Sequence, residues 1–420
     1  MSVAVLAGIM VAASTSASAS AAPAPVPGTE RVTLTASGEQ ADGDAHGPEV
    51  SADGRFAAFS AYAANLVPGD TNGHGDVFVR HLRTGTVERV SVGAGGAQAD
   101  GESSALGISA DGRYVLFRSN ARNLVAWDTP PTDDAAYDIY LHDRRTHRTE
   151  RISVAPDGGS ALAGGAALSA DARYIAFNAK ADRMETDPGD LFGAVYVLDR
   201  RTGTVERVSN RTGPTVPAVL QGISADGRRV AYAQPVPRSG YGATWVHDRR
   251  TGTEERVNVR PDGTPDPWYA MPASLSADGR VIAFTSYSDD LVPGGAAGDS
   301  HLYVRDLDTD VTRRVAPGPA GESLPGAPHL SPDGRYLAYE AAPRQSDGLL
   351  GPSNVYLRDL RTGSTRLVSE SVDGGPVTDA AVTLCSVSAH ARSVGLGSHS
   401  ARLVPDDTNG FSDGFVRHLR

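Results

Sequence analysis

The sequence predicts an all-β, seven-bladed β-propeller with four antiparallel strands per blade, its last blade closed by the N-terminal strand. Three observations predict it. The tetrapeptide Ser-Ala-Asp-Gly or a near variant, followed by Arg, recurs seven times, starting at Ser51, Ser109, Ser169, Ser224, Ser276, Ser331 and Ser388. A second landmark recurs after the starts: an apolar strand, charged residues, Thr-Gly or a near variant and another strand, as at 77–92 and 195–208. The two ends of the chain are complementary, as set out below. A fixed period of this length is the mark of a repeat architecture, and short strands without helical periodicity make each unit a blade.

The elements follow in chain order. Residues 1–21 read as a signal peptide: Val3 to Ala13 is apolar, and Ala/Ser-rich sequence with Ala-x-Ala sites follows. That run is too short for a membrane-spanning helix. Residues 22–28 read as a Pro/Ala linker, and the propeller is expected over 29–420. In each unit a short strand a precedes the Ser-Ala-Asp-Gly turn, where a residue tolerant of positive φ closes a hairpin. Strand b follows, as in Arg113 to Phe117. A longer connection leads to strand c, and Thr-Gly turns the chain into strand d, as in Val77 to Val92. The last unit stops after strand c, at Gly414 to Arg420. Residues 29–34, Thr-Glu-Arg-Val-Thr-Leu, have the pattern of the missing strand d. Pairing the two removes the open edge of the ring.

Composition narrows the function. The net charge is −11, which provides no basic surface for nucleic acid. Of 39 basic residues only Lys180 is lysine. The single cysteine, Cys385, allows no intramolecular disulfide; beside Leu384 and Val387 it reads as buried and inert.

The repeats resemble a known family. Ser-Ala-Asp-Gly-Arg-Phe at 51–56, Asn-Leu-Val-Pro-Gly-Asp-Thr-Asn-Gly at 65–73, Asp-Val-Phe-Val-Arg at 76–80 and Arg-Thr-Gly-Thr-Val-Glu-Arg-Val-Ser-Val at 83–92 are similar to the WD40-like PD40 repeats of TolB-type propellers. The resemblance covers essentially the whole chain after the leader and implies the fold. It is divided on function. The family includes envelope-associated binding proteins, and related propellers serve as lids on serine peptidases or as oligogalacturonate lyases. This chain departs from TolB in lacking a separate N-terminal domain, and from the peptidases in lacking room for a hydrolase domain.

Blade topology sends the a–b and c–d turns to one face and the b–c and d–a connections to the other. The turns are short and repetitive; the connections vary in length and content. The variable face is therefore the expected binding surface. It carries two Asp-Thr-Asn-Gly-x-x-Asp loops, with Asp70, Asn72 and Asp76 in blade 1 and Asp407, Asn409 and Asp413 in blade 7. Oxygen side chains at positions 1, 3 and 7 could ligate Ca²⁺, although the acid at position 12 of an EF-hand is absent; the same pattern also makes Asx turns. Acid clusters at Asp128, Asp133, Asp134 and Asp138, and at Asp289, Asp290 and Asp299 with His301, could bind cations or form a solvated rim. Trp127 and Tyr137 in a b–c connection, and Trp268 and Tyr269 in a d–a connection, could stack on sugars or partner side chains. Trp245 in strand c reads as core.

The Arg after each turn, and an acid after strand c in five blades (Asp143, Asp199, Asp248, Asp306 and Asp359), recur with the repeat and read as a structural device. No nucleophile elbow, zinc-protease motif or phosphate-binding loop occurs. His46, His329 and His399 lie near connections, where convergence across blades could build a lyase-like metal site. The expectation is a secreted or envelope-associated, monomeric module that binds a protein, peptide or cell-wall glycan. A glycan lyase or hydrolase is the alternative.

Overall fold

The computed structural model describes residues 28–126, 137–185, 193–209, 217–235, 242–268, 270, 273–294, 300–315, 326–343 and 349–419. The expected leader and most of the linker lie outside them. Seven four-stranded antiparallel sheets form the ring. Blade 1 runs Ala45–Val50, Phe56–Ala61, Asp76–His81 and Val87–Arg89 as strands a to d. Blade 2 runs Ser103–Ile108, Tyr114–Ser119, Asp138–Asp143 and Arg148–Arg151. Blade 7 takes Val382–Val387, Ser393–Ser398 and Asp413–His418 from the C-terminus, and Gly28–Arg31 from the N-terminus as its strand d. The register places Gly28 opposite His418 and Arg31 opposite Phe415, so the predicted closure is present, one residue earlier than read from the sequence.

Strands b and c are apolar on both faces because each sheet packs on two neighbours. The core is thus a ring of clusters between and within blades, and one of them joins Val32 and Val416 of blade 7 to Phe59 and Phe78 of blade 1. The b–c pairs stack aromatic rings: Phe59 on Phe78, Phe117 on Tyr140, Phe284 on Tyr303 and Tyr339 on Tyr356, with centroids 5.6–5.9 Å apart. Trp245 stands opposite Tyr232 and packs on the core, as expected. Strand d is only three or four residues long and rich in Arg, Glu and Thr, which blunts the outer edge.

The Ser-Ala-Asp-Gly turn repeats a side-chain device. Ser109 is fully buried; its hydroxyl donates to Asp111 at 2.7 Å and accepts the Tyr114 N–H at 2.9 Å. Asp111 in turn accepts the Arg113 N–H at 3.0 Å. Gly112 has φ +75°, and a Cβ there would collide with the Phe56 ring of the preceding blade. The third and seventh turns lack this glycine and hold Ala172 and Ala391 at φ +54° and +48°.

The turns also link the blades. The amide of Ala110 donates to the carbonyl of Ala170, Ala170 to Ala225, Ala225 to Ala277, Ala277 to Pro332, and Ala389 to Ala52, at 2.7–3.0 Å. The blade 1 turn donates from Asp53 to Ala110 at 3.2 Å. The bond from blade 6 to blade 7 is missing because its donor position is Pro332, which has no N–H. There His390 Nδ1 lies 2.8 Å from Asp333 Oδ2.

The recurrent Arg and Asp are structural, as expected. Arg113 grips Asp143 through two nitrogens at 2.9 and 2.5 Å, and Arg173–Asp199, Arg228–Asp248, Arg280–Asp306 and Arg335–Asp359 repeat the pair. The guanidinium hydrogen bond holds Asp199 at about 2. The following arginine bridges outward to the preceding blade: Arg144 lies over Phe56, Arg200 over Tyr114 and Arg249 over Tyr174, at 4.3–4.8 Å. Each also pairs with a strand d glutamate of that blade, Glu88, Glu150 or Glu206.

Candidate functional site

The seven blades align residue by residue from the serine of each turn to the end of strand b, on the b–c side of the ring. The eleventh residue after the serine of each turn, at or just past the end of the strand, is Tyr62, Asn120, Lys180, Pro235, Tyr287, Ala342 or His399 in blades 1 to 7. One repeat position thus offers six different residue types, tyrosine twice, while the turns below it repeat. Tyr62 is 55% exposed and Tyr287 50%. Among the described residues the other strongly exposed aromatics, Trp268 and Phe411, are also on b–c or d–a connections.

Among the described residues, a cluster of aromatic and charged side chains lies on this face between blades 1 and 2. Tyr62 rests against Gly75, whose Cα leaves no room for a side chain: a Cβ would lie 3.1 Å from the ring and 2.8 Å from Glu102. Glu102, on the d–a connection into blade 2, accepts the Gly75 N–H at 2.8 Å and faces His74 Nδ1 at 3.3 Å. Partial burial and then the Glu102 carboxylate push the Tyr62 phenol pKa up. His46 meets Tyr62 edge-on at 6.4 Å. From blade 2, Arg118 lies 5.2 Å over the ring of half-buried Tyr137. The cluster combines an exposed aromatic plate with a carboxylate, an imidazole and a guanidinium.

The two Asp-Thr-Asn-Gly loops are built around arginine. In blade 1 the Arg89 guanidinium of strand d lies 2.9 Å from Asp70 and 3.2 Å from Asp76. Asp76 also accepts Ser91 Oγ at 2.5 Å and Asn72 Nδ2 at 2.9 Å. The Asn72 carbonyl accepts the His74 N–H, as an Asx turn does. In blade 7 Arg31, supplied by the N-terminal strand, lies 2.9 Å from Asp407 and 3.5 Å from Asp413, and Thr33 donates to Asp413. Asn409 donates to the Ala41 carbonyl, as Asn72 does to that of Ala99. Burial pushes the Asp70, Asp407 and Asp413 carboxyls up, and the arginines oppose this. The positive charge between each carboxylate pair is therefore a guanidinium. The blade 1 loop has a second result: it presents His74 and Gly75 to Tyr62 and Glu102.

The remaining candidates separate. Trp127, Tyr269, Asp128, Asp133, Asp134 and Asp299 lie outside the described residues. Trp268 sits at the seam of blades 4 and 5, away from Tyr137; its N–H is held by Asp266 at 2.9 Å. Asp138 is buried and accepts Ser153 Oγ at 2.5 Å, Asp290 pairs with Arg260 at 3.0 Å, and Asp289 faces His301 at 3.8 Å. His46, His329 and His399 occupy three different blades, and among the described residues no three His, Cys, Asp or Glu side chains are grouped to hold a metal.

Strand a of blades 1, 2, 4 and 7 carries a bulge, at Cys385 in blade 7. Cys385 is consequently half-buried instead of enclosed in the core, with its Sγ against the Cα of Gly47. Burial, then Glu49 and Glu340, pushes its thiol up, which makes it a poor nucleophile. Burial also raises Glu49 to about 8 and lowers His329 to about 4, so the inner strands carry these groups uncharged at neutral pH.

No family model and no curated protein matches the chain. Solved structures do. An oligogalacturonate lyase from Vibrio parahaemolyticus is 13% identical, with 93% of each chain covered and a TM-score of 0.60. The β-propeller domain of the Trilobed protease from Pyrococcus furiosus, which has an open velcro topology, is 13% identical, with 86% of this chain and 91% of that one covered and a TM-score of 0.54. TolB from Acinetobacter baumannii is 16% identical, with 80% of this chain covered and a TM-score of 0.42; the match spans 65% of that chain. The first two likenesses are of fold. In this chain the ring is closed by strand pairing.

Sequence reasoning placed the binding face on the b–c and d–a side but did not identify Tyr62, His74, Glu102 or Arg118. Their signal was present: they depart from their repeat-equivalent positions in a chain that otherwise copies itself.

Proposed function

We propose that the protein is a secreted, monomeric glycan-binding propeller, with its ligand seated at the channel mouth between blades 1 and 2. The observation that carries this reading is the one-sided placement of the strongly exposed aromatics, with Tyr62 flanked by Glu102, His74 and Arg118. Sugar rings present apolar C–H faces to an aromatic plate and hydroxyls to a carboxylate and an imidazole. Scaffold positions repeat because each blade needs them; ligand contacts are needed once, which accounts for the single Tyr62–Glu102–His74 set.

The test is a glycan and peptide array probed with the chain from Ala22 onward, followed by titration of the best saccharide. Tyr62→Ala should weaken that saccharide by about tenfold or more, the loss of one aromatic contact, with an unchanged melting temperature. Binding confined to peptides would assign the face to a protein partner. Cleavage of the saccharide on incubation would make the protein an enzyme.

A further inference from the structure

We infer that the turn face carries a second ligand site, a cleft between blades 1 and 2 in which Arg55, Arg113, Arg144 and Arg145 receive a phosphate group. The site is independent of the glycan-binding reading, which concerns the opposite face.

Its origin is a gap in the repeat. In blades 2 to 6 the arginine after the turn grips an aspartate at the end of strand c, as Arg113 grips Asp143. In blade 1 that position, opposite Phe56 as Asp143 is opposite Tyr114, is His81. The imidazole does half of the aspartate's work: its Nδ1 accepts the Arg83 and Thr84 amides at 3.2 and 3.3 Å, as Asp143 accepts the Arg145 amide at 3.0 Å. It gives Arg55 no carboxylate. Arg55 turns to Asp53 of its own hairpin at 2.6 Å and to the Asp111 carbonyl at 3.3 Å, and its side chain is 57% exposed, against 28% for Arg113. Blade 7 also has a histidine, His418, but there Ser393 stands in place of Phe56 and, across the seam, Leu82 in place of Arg144.

The cleft beside Arg55 is shallow, about 420 Å³. The Phe56 ring lies between the guanidinia of Arg55 at 5.3 Å and Arg144 at 4.3 Å. Arg113 uses Nε and Nη2 on Asp143, and Arg144 uses Nε on Glu88 and Nη1 on the Gly112 carbonyl, so each keeps a terminal nitrogen, as Arg55 does. Arg145 is exposed, and its side chain forms no ion pair or hydrogen bond among the described residues. The carboxylate in the cleft wall, Asp111, accepts Ser109 Oγ and the Arg113 amide. Burial, then the guanidinia of Arg83, Arg144 and Arg55, hold the His81 imidazole below its usual value, so positive charge gathers where the repeat elsewhere has an acid. Guanidinia that reach one cleft from both blades suit a tetrahedral oxyanion with several acceptor oxygens, whereas a carboxylate occupies a single fork.

The probes are inorganic phosphate and glycerol phosphate, titrated by calorimetry and by NMR of the His81 imidazole. Saturable binding that raises the His81 titration midpoint is expected, and the tighter of the two probes tells a free ion from an esterified one. His81→Asp, which gives Arg55 the carboxylate of the other blades, and Arg145→Ala should each weaken phosphate by about tenfold, the loss of one charge-assisted contact. Arg201→Ala, the equivalent substitution one seam on, and Tyr62→Ala on the other face should leave it at the wild-type value. Absence of saturable binding by either probe, or an equal loss in Arg201→Ala, overturns the inference. If His81→Asp fails to fold, the comparison of the exposed Arg145→Ala and Arg201→Ala decides alone.

Discussion

The two faces of the ring are made by the same seven repeats, yet they differ in what the repeats hold constant. On the a–b and c–d face, serine, aspartate, glycine and arginine return to the same bonds in blade after blade, as in Ser109–Asp111 and Arg113–Asp143. On the b–c and d–a face the connections differ in length and in side chains, and at the end of strand b one repeat position reads Tyr62, Asn120, Lys180, Pro235, Tyr287, Ala342 and His399. A side chain that recurs serves every seam; one that occurs once serves a single site. Blade 1 shows both uses in one loop, where Arg89 binds Asp70 and Asp76 while His74 and Gly75 face Tyr62.

The largest effect that would break this comparison is expected from the loop arginines. Arg89→Gln leaves two buried carboxylates without their counter-charge and should cost about 3–5 kcal/mol of stability, read by denaturant unfolding. Added Ca²⁺ or EDTA should leave the wild-type melting temperature unchanged, because the guanidinium already supplies the charge; a calcium-dependent rise would show a metal there. Next is Gly112→Ala, which puts a side chain at positive φ and into Phe56; roughly 2–3 kcal/mol is expected. Ser109→Ala, which removes a buried donor and acceptor, should cost about 1–3 kcal/mol.

The smallest effect is a pH dependence from the inner strands. Glu49, raised to about 8, keeps a proton in the folded protein that the unfolded chain releases, so it withdraws stability as pH rises from about 4.5 to 8. His329, lowered to about 4, acts oppositely between 4 and 6.5, because there the unfolded chain binds the extra proton. The two offset each other below about 6.5, and a loss of at most about 1.4 kcal/mol per pH unit remains between 6.5 and 8. Glu49→Gln should flatten that slope in unfolding measured across this range.

How much was legible follows from the same comparison. Blade number, strand order and closure were readable because the fold is written seven times, and the Arg113–Asp143 type of pair was recognisable by recurrence alone. The candidate cluster was not readable, because Tyr62 and Glu102 are 40 residues apart in sequence and come together around Gly75 only when blades 1 and 2 pack. In the fold each Asp-Thr-Asn-Gly loop places a guanidinium, Arg89 or Arg31, beside its carboxylates, the latter arriving from the opposite end of the chain, which spacing within the loop cannot reveal. Cys385 read as core because its neighbours are apolar, and a bulge in strand a turned it out.

The most direct measurement is the affinity of the best array saccharide for two variants, one from each face: Tyr62→Ala with Tyr287→Ala at the mouth, and Arg145→Ala with Arg201→Ala on the c–d turns. The account predicts that binding falls tenfold or more in the first pair and stays at the wild-type value in the second, with both proteins folded. Binding that survives the tyrosine substitutions and is lost with the turn arginines would contradict it, and would move the functional face to the repetitive side of the ring.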